Sequence, residues 1–422
     1  MAIETFESII CPGCSCLCDD IDLVVTDGEI TEINNICTWG IGRFVGGKKF
    51  AQKKERKRPE GHFIRSEGKS TQVDVEEACK KAASVLRGGE RLFFYGLGQS
   101  GASAQEKVFR MGKNLDAVFI PSEGPLLTLF LEYSRRKGAN ICTLEEIRHQ
   151  ADVVVFWGAN PIHSCPRLPA RYAFFARGRF AERGEEDRKA FIVDLQATEL
   201  AKVFQQVIIE AGNDLVLLRA VSDLLRGETP SDYGAKPKHV RELAKALQEG
   251  SYVAIFCGRG PFYRKDSERF IREMFDLTEI LNQERNAVFL PLATDFNTRG
   301  FYQILLREGF GKRERKSVML DVQHWEPESG DVIFALGSDF IWFLSEKQRE
   351  ALKRKTAKIV SISAYETLTH LQAQVAVSCA LVGIEVSDVA YRLDGLPFLL
   401  KAVKKASFPS DREIMEMIEK EL

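Results

Sequence analysis

Five cysteines stand within the first 37 residues of this 422-residue chain: Cys11, Cys14, Cys16, Cys18 and Cys37. The spacing Cys11-x-x-Cys14-x-x-x-Cys18 puts three thiolates on one short loop, enough to wrap one face of a metal centre, and Cys37 is the distant fourth ligand that closes it. Thiolate sulfur is soft and selects an iron–sulfur cluster or zinc over hard cations. Zinc modules more often pair two Cys-x-x-Cys knuckles, and Cys37 has no close partner, so the spacing favours a 4Fe-4S cluster. Zinc and a metal-free loop stay open. Cys16 alternates out of the ligand set. The remaining five, Cys79, Cys142, Cys165, Cys257 and Cys379, lie among apolar neighbours and read as small buried hydrophobes.

A second kind of chemistry is suggested by glycine turns that follow apolar runs. Trp157-Gly158-Ala159-Asn160-Pro161 and Leu336-Gly337-Ser338-Asp339 are two of them, and Asp194 ends a third run. In open parallel sheets, ligands sit beyond the carboxyl ends of the strands. Glycine there admits a phosphate to the backbone amides, and a helix N-terminus favours its charge. Gly158, Asn160, Pro161, Asp194, Gly337 and Asp339 are therefore candidate nucleotide contacts, with Asp194 placed to accept from a ribose or a guanine. Tight strand-to-helix turns account for the same residues with no ligand at all. None of the turns completes a dinucleotide fingerprint, so a nicotinamide enzyme is not supported.

The elements that position these groups follow from periodicity. Alternation over residues 21–33, centred on Asp27-Gly28-Glu29, predicts a β-hairpin beside the cysteine loop. A basic stretch, residues 48–58, reads as a connector or a partner contact. Beyond it, uninterrupted apolar strands alternate with helices, which predicts a parallel sheet covered on both faces. The order of elements then recurs. Residues 253–260 echo 93–98, residues 330–339 echo 151–160, and 358–363 stand where 191–194 stood. The expected organisation is a cysteine module over 1–60, an α/β region over 61–150, repeated α/β units over 151–240 and 241–374, and a closing segment over 375–422. A formal net charge of -1 argues against nucleic-acid or polybasic membrane binding. No apolar run is long enough for a membrane span, and no leader pattern opens the chain, so a cytoplasmic protein is expected.

Further residues carry a family resemblance. Cys-Pro-Gly-Cys-Ser-Cys-Leu-Cys-Asp-Asp at 11–20, with Cys37 and Gly42-Arg43-Phe44 beyond it, is similar to the opening module of the B subunit of formylmethanofuran dehydrogenase. So are Thr143-Leu144-Glu145-Glu146-Ile147, Trp157-Gly158-Ala159-Asn160-Pro161-Ile162-His163, Pro166-Arg167, and the closing Tyr391-Arg392-Leu393-Asp394-Gly395-Leu396-Pro397 to other stretches of it. The resemblance implies a molybdopterin-oxidoreductase-like α/β fold. In that family an iron–sulfur cluster feeds tungsten or molybdenum held by molybdopterin guanine dinucleotides. It also implies partners: an amidohydrolase-like A-type subunit, a C-type subunit and a D-type subunit.

The same resemblance exposes departures. Where the family's metal loop reads Cys-His-Gly-Pro, this chain has Ser122-Glu123-Gly124-Pro125. A serine hydroxyl is harder than a thiol and far more difficult to deprotonate. Where the family carries an arginine and a histidine, this chain has Ala293 and Asp295. A site handling formate or carbon dioxide needs fixed positive charge for the developing anion, and Asp295 has the wrong sign. The degenerate positions Ser122, Glu123, Ala293 and Asp295 point to a non-redox scaffold, as in bacterial formyltransferase/hydrolase complexes that release formate from a formylated carrier. The competing expectations are an active tungsten or molybdenum oxidoreductase with Ser122 as ligand, and a lone iron–sulfur protein without these partners.

Overall fold

Asp27 and Gly28 both take positive φ, 49° and 82°, the backbone a two-residue hairpin turn requires. They join β2 (Ile21–Thr26) to β3 (Glu29–Asn34), and β1 (Ile3–Ile9) pairs with the other edge of β2. The predicted hairpin is thus the core of a three-stranded antiparallel sheet. The computed structural model describes residues 2–46, 57–66, 68–138, 142–262, 266–308, 318 and 321–422. Most of the basic connector, residues 48–56, lies outside the described residues.

Further strands are β4 (His62–Ser66), β5 (Lys69–Val73), β6 (Arg91–Gly96), β7 (Val118–Pro121), β8 (Val153–Trp157), β9 (Lys189–Asp194), β10 (Gln205–Ile208), β11 (Tyr252–Cys257) and β12 (Asn286–Pro291). Then come β13 (Asp331–Leu336), β14 (Lys358–Ser363), β15 (Val375–Ser378), β16 (Asp388–Tyr391) and β17 (Pro397–Leu400). They fall into two units, one from residues 1–124 and 295–422, the other from 125–294. The first unit holds a seven-stranded sheet in the order β5-β4-β15-β14-β13-β6-β7. Its pairs from β15 to β7 are parallel. The second holds an all-parallel five-stranded sheet, β10-β9-β8-β11-β12. Strands β8, β11 and β13 are buried along their whole length, as expected where helices cover both faces of a sheet.

The echoes found in the sequence correspond strand for strand. β13 stands to β14 and β6 as β8 stands to β9 and β11. The chain order differs, because residues 125–294 are inserted between β7 and β13. That insertion divides the expected 241–374 segment. Its strands β11 and β12 extend the sheet of β8, β11 pairing with β8, while β13 and β14 belong to the other, β13 pairing with β6. Periodicity reports which segments are strands, not which strand each will pair with, and here the pairing skips across the insertion.

The cysteine module is part of the first unit rather than a separate body. Leu17, on the loop between the cysteines, is fully buried in a cluster with Phe296, Val382, Ala390 and Leu400. The β16–β17 hairpin touches the same loop, since the Leu393 N–H donates to the Ser15 carbonyl over 3.0 Å. The turn of this hairpin holds a fully buried ion pair, Arg392 Nη2 to Asp394 Oδ2 at 2.6 Å, with Arg392 stacked 5.0 Å from the Phe398 ring centroid.

The final helix, Asp411–Lys420, begins on a buried carboxyl. Burial, and then the nearby charge of Asp388, push Asp411 up to about 7. A folded-state pKa above the unfolded one means that the native protein binds this proton more tightly. Its stabilising contribution is complete below about pH 4 and is lost as pH rises through about 7. Urea unfolding at pH 5 and pH 8 should therefore show a fall in stability in the natural protein and a smaller one in Asp411→Asn. An undiminished fall in the variant would assign the effect elsewhere.

Candidate functional site

The cysteine loop closes on itself through Cys11 N–H to Cys18 O, 2.8 Å, and Leu17 N–H to Cys14 O, 3.2 Å. Leu17 takes φ 39°, a strained backbone for a branched residue, and its burial in the apolar cluster holds it there. Cys37 arrives from the other side as the residue before helix Thr38–Phe44. Cys11, Cys14, Cys16 and Cys18 are buried, and Cys37 is half-buried. Burial first, then the charges of Cys18 and Cys14 and, more weakly, Cys37 push the Cys11 thiol well up. Thiols gathered in a dry loop ionise together only beside a multiply charged cation.

Small residues make the room. A Cβ on Gly13 would lie 3.2 Å from the Cys11 sulfur, and one on Gly40 only 2.9 Å from it. The donors and the space around them suit a metal centre. Cys16 is closer to this group than its spacing suggested, for its sulfur lies within 4.8 Å of that of Cys14.

A second network gathers the degenerate positions of the first unit. Ser122 follows β7 and donates its hydroxyl to Asp295 Oδ2 over 2.6 Å. Gln99, in the turn after β6, donates to Asp295 Oδ1 over 2.5 Å. Glu123 is buried and accepts the Asp295 N–H over 3.0 Å. Behind them, Gln105 donates to the carbonyls of Leu97 and Asn297 at 2.7 and 2.9 Å, and Asn297 donates to Ser100 O at 2.8 Å. A Cβ on Gly98 would come within 2.6 Å of Asp295. The two loops are thus stitched together through Asp295, in the place that the resemblance gives to a metal ligand. Ala293, in the second unit, is buried and uncharged.

These residues do not fit a tungsten or molybdenum centre. The Ser122 hydroxyl already donates a hydrogen bond to a carboxylate, and that nearby carboxylate discourages a second anion at the serine oxygen. Nearby Arg299 is buried, which pulls its guanidinium down to about 10, and the charge acting against that fall is Asp394. No sulfur donor stands at position 122, and neither 293 nor 295 offers a cation.

The strand-end glycines have a packing role that repeats in the two sheets. In the second unit, a Cβ on Gly258 would meet Gly158 O at 2.4 Å, and one on Gly158 would meet Pro261 at 2.4 Å. In the first, a Cβ on Gly96 would meet Leu336 O at 2.7 Å, and one on Gly337 would meet Gln99 at 2.9 Å. Gly158 and Gly337 take positive φ, 57° and 68°. Glycine is needed at both places because the turns after neighbouring strands abut.

The polar candidates bond within their own unit. Asn160 caps helix Pro161–Ser164 through Ile162 N–H at 3.1 Å and donates to Glu199 at 2.7 Å. His163, bonded to Glu199 at 2.8 Å, is the main cause that holds this carboxyl down at about 2. Asp194 accepts the Leu195 N–H at 2.7 Å. Asp339 accepts from Leu368 N–H, Thr369 N–H and the Thr369 hydroxyl, fixing the start of helix Leu368–Gln372.

No family model matches the sequence. Among curated proteins, the B subunit of tungsten-containing formylmethanofuran dehydrogenase 2 from Methanocaldococcus jannaschii is 26% identical over 445 residues, spanning 100% of this chain and 99% of the relative. The chain is similar along its whole given length to the formylmethanofuran dehydrogenase B subunit. The protein of the same name from Methanococcus maripaludis is also 26% identical, over 441 residues and with the same coverage. Among solved structures, a chain of the formyltransferase/hydrolase complex of Methylorubrum extorquens, crystallised with methylofuran, superposes with a TM-score of 0.62 at 18% identity. The match covers 85% of this chain and 98% of that one. The resemblance read from the cysteine loop and the closing motif is thereby borne out.

That likeness did not reveal Gln99, whose role depends on the pairing of two loops far apart in sequence. No helix among the described residues is long and apolar enough to cross a membrane.

Proposed function

We propose that this chain is the B-type component of a formylmethanofuran dehydrogenase-like complex of C1 metabolism, acting as a non-redox scaffold in formyltransfer and hydrolysis. The complex releases formate from a formylated pterin or furan carrier. Its partners are an amidohydrolase-like A-type subunit, which carries the hydrolysis, a D-type subunit, which carries formyl transfer, and a C-type subunit. The chain works in the cytoplasm. The observation that carries this reading is the Ser122–Asp295 hydrogen bond at 2.6 Å. It commits the position of the metal ligand to a carboxylate and leaves no sulfur for tungsten. The molybdopterin-oxidoreductase architecture is retained as a platform, with Gly158, Asn160, Pro161, Asp194, Gly337 and Asp339 inherited from dinucleotide contacts and now holding turns.

Cys11, Cys14, Cys18 and Cys37 hold a 4Fe-4S cluster in this reading. When bound, the cluster supplies a cation that neutralises the buried thiolates and ties the loop to helix Thr38–Phe44. The residues' own part is positional: Leu17 anchors the loop in the core, and Gly13 and Gly40 leave room at the Cys11 sulfur.

The reading is tested with Ser122→Ala and Asp295→Ala in the assembled complex. Formate release from a formylated carrier, without any electron acceptor, should stay within about threefold of the natural complex, because neither side chain touches the reacting formyl group. A loss of about a thousandfold, the scale of removing a group that stabilises a transition state, would instead place these residues in catalysis. The second reading is an active oxidoreductase using Ser122 as ligand, and the tungsten in the relatives' name favours it. That reading requires formate-dependent reduction of a dye by the same preparation.

A further inference from the structure

Arg43 sits in helix Thr38–Phe44, just beyond the cysteine loop, and is only 4% exposed. Its guanidinium carbon lies 5.2 Å from the ring centroid of Phe296 and 5.4 Å from that of Tyr365. Such contacts offset part of the desolvation of a buried cation but satisfy none of its N–H donors. The Nε is buried and has no hydrogen-bond partner among the described residues. Sequestering a donor of this kind costs roughly 1–3 kcal/mol unless something accepts from it.

The same side chain lines a cavity of about 610 Å³ in the first unit. Lys57, Arg58 and Lys404 also reach this cavity, against Glu29 and Glu385. Arg58 is paired to Glu385 at 2.8 Å and Lys404 to Glu29 at 2.8 Å. Among the described lining residues, Arg43 then has no carboxylate partner, while Lys57 is turned outward to Glu366 at 3.2 Å and Glu60 at 3.4 Å. Leu381 and Ile384 supply an apolar side. The volume is that of a small-molecule site, and its charged groups face an apolar side, as an amphiphilic ligand requires.

We propose that this cavity binds a small organic oxyanion, a carboxylate or phosphate carried on an apolar body. The anion accepts from the Arg43 Nε and draws the Lys57 ammonium inward, while its body lies on Leu381 and Ile384. Arginine suits this role because its planar donors match the oxygens of either group.

The test is calorimetric titration of the full chain in its purified complex with benzoate, phenyl phosphate and inorganic phosphate as probes. At least one of the two aromatic probes should bind saturably, and about tenfold more tightly than inorganic phosphate, the worth of roughly 1.4 kcal/mol of apolar contact. Whichever aromatic probe binds more tightly identifies the oxyanion. Arg43→Met should weaken that probe by about tenfold or more. Lys57→Met, at an exposed side chain, should weaken it by about threefold with no change in melting temperature. No saturable heat from either aromatic probe overturns the proposal. So does affinity unchanged in Lys57→Met together with affinity unchanged in Arg43→Met, and if the arginine variant fails to fold, the lysine variant decides alone.

Discussion

Cys11→Ser is expected to strip the metal from the purified protein and lower its melting temperature by roughly 10 °C or more, since metal–ligand free energy in a small cysteine module is folding free energy. Cys11 is the most informative ligand to change. Its sulfur is the one that Gly13 and Gly40 crowd, and its thiol is pushed up by burial and by three other cysteines. A serine there leaves a hydroxyl that cannot be ionised beside Cys14 and Cys18, which weakens the loop's hold on a cation.

Because Leu17 of that loop packs on Phe296, Ala390 and Leu400, the loss should spread to the β16–β17 hairpin rather than stay local. Formate release by the assembled complex should nonetheless survive at temperatures where the variant stays folded. Iron content and thermal unfolding, measured on one preparation, check both halves. Cys16→Ser serves as the control for ligand choice, because its sulfur also lies within 4.8 Å of that of Cys14. Equal metal loss in both variants would enlarge the ligand set. Loss of activity with metal and fold intact would make the cysteines catalytic and refute the structural role.

Asp394→Leu is the second large effect, expected to destabilise the folded chain by about 3–5 kcal/mol, the range seen when one member of a buried ion pair is removed. Arg392 and Asp394 are both fully buried, and both Nε and Nη2 of the arginine point at the carboxylate. Removing the carboxylate leaves a guanidinium in the core, stacked on Phe398, with no water to reach it. Arg299 also loses the negative neighbour that partly offsets its own burial. Denaturant unfolding measures the effect as a drop in midpoint at unchanged slope. Leu393, between the pair, donates to Ser15, so the cysteine loop should show faster amide exchange in the same variant. A change below about 1 kcal/mol would mean that the pair is solvated in the native state.

What the sequence made legible was local. Asp27-Gly28 announced its hairpin because aspartate and glycine accept the two positive φ values of a tight hairpin turn. The spacing of Cys11, Cys14 and Cys18 announced a compact cysteine loop because residues on one loop need no knowledge of the rest of the chain. The strand echoes were legible for the same reason, and each proved to occupy an equivalent position in its own sheet.

Pairing across the insertion was not legible. Residues 252–291 carry the same apolar signal whether they join β8 or β13, and the choice is made by tertiary packing. The Ser122–Asp295 contact bridges 173 residues, and only the family resemblance brought the two positions into one argument. Gln99 escaped because a glutamine in a glycine turn has no signature until the opposite loop is known. Gly158 and Gly337 drew attention as phosphate contacts, where the geometry shows them admitting a neighbouring turn.

The most direct measurement is elemental and nucleotide analysis of the purified complex for tungsten, molybdenum, iron and guanine nucleotide. With Ser122 bonded to Asp295, the expected result is iron without stoichiometric tungsten or molybdenum and without guanine nucleotide. About one atom of tungsten or molybdenum per chain, accompanied by guanine nucleotide, would contradict it and restore an electron-transferring enzyme.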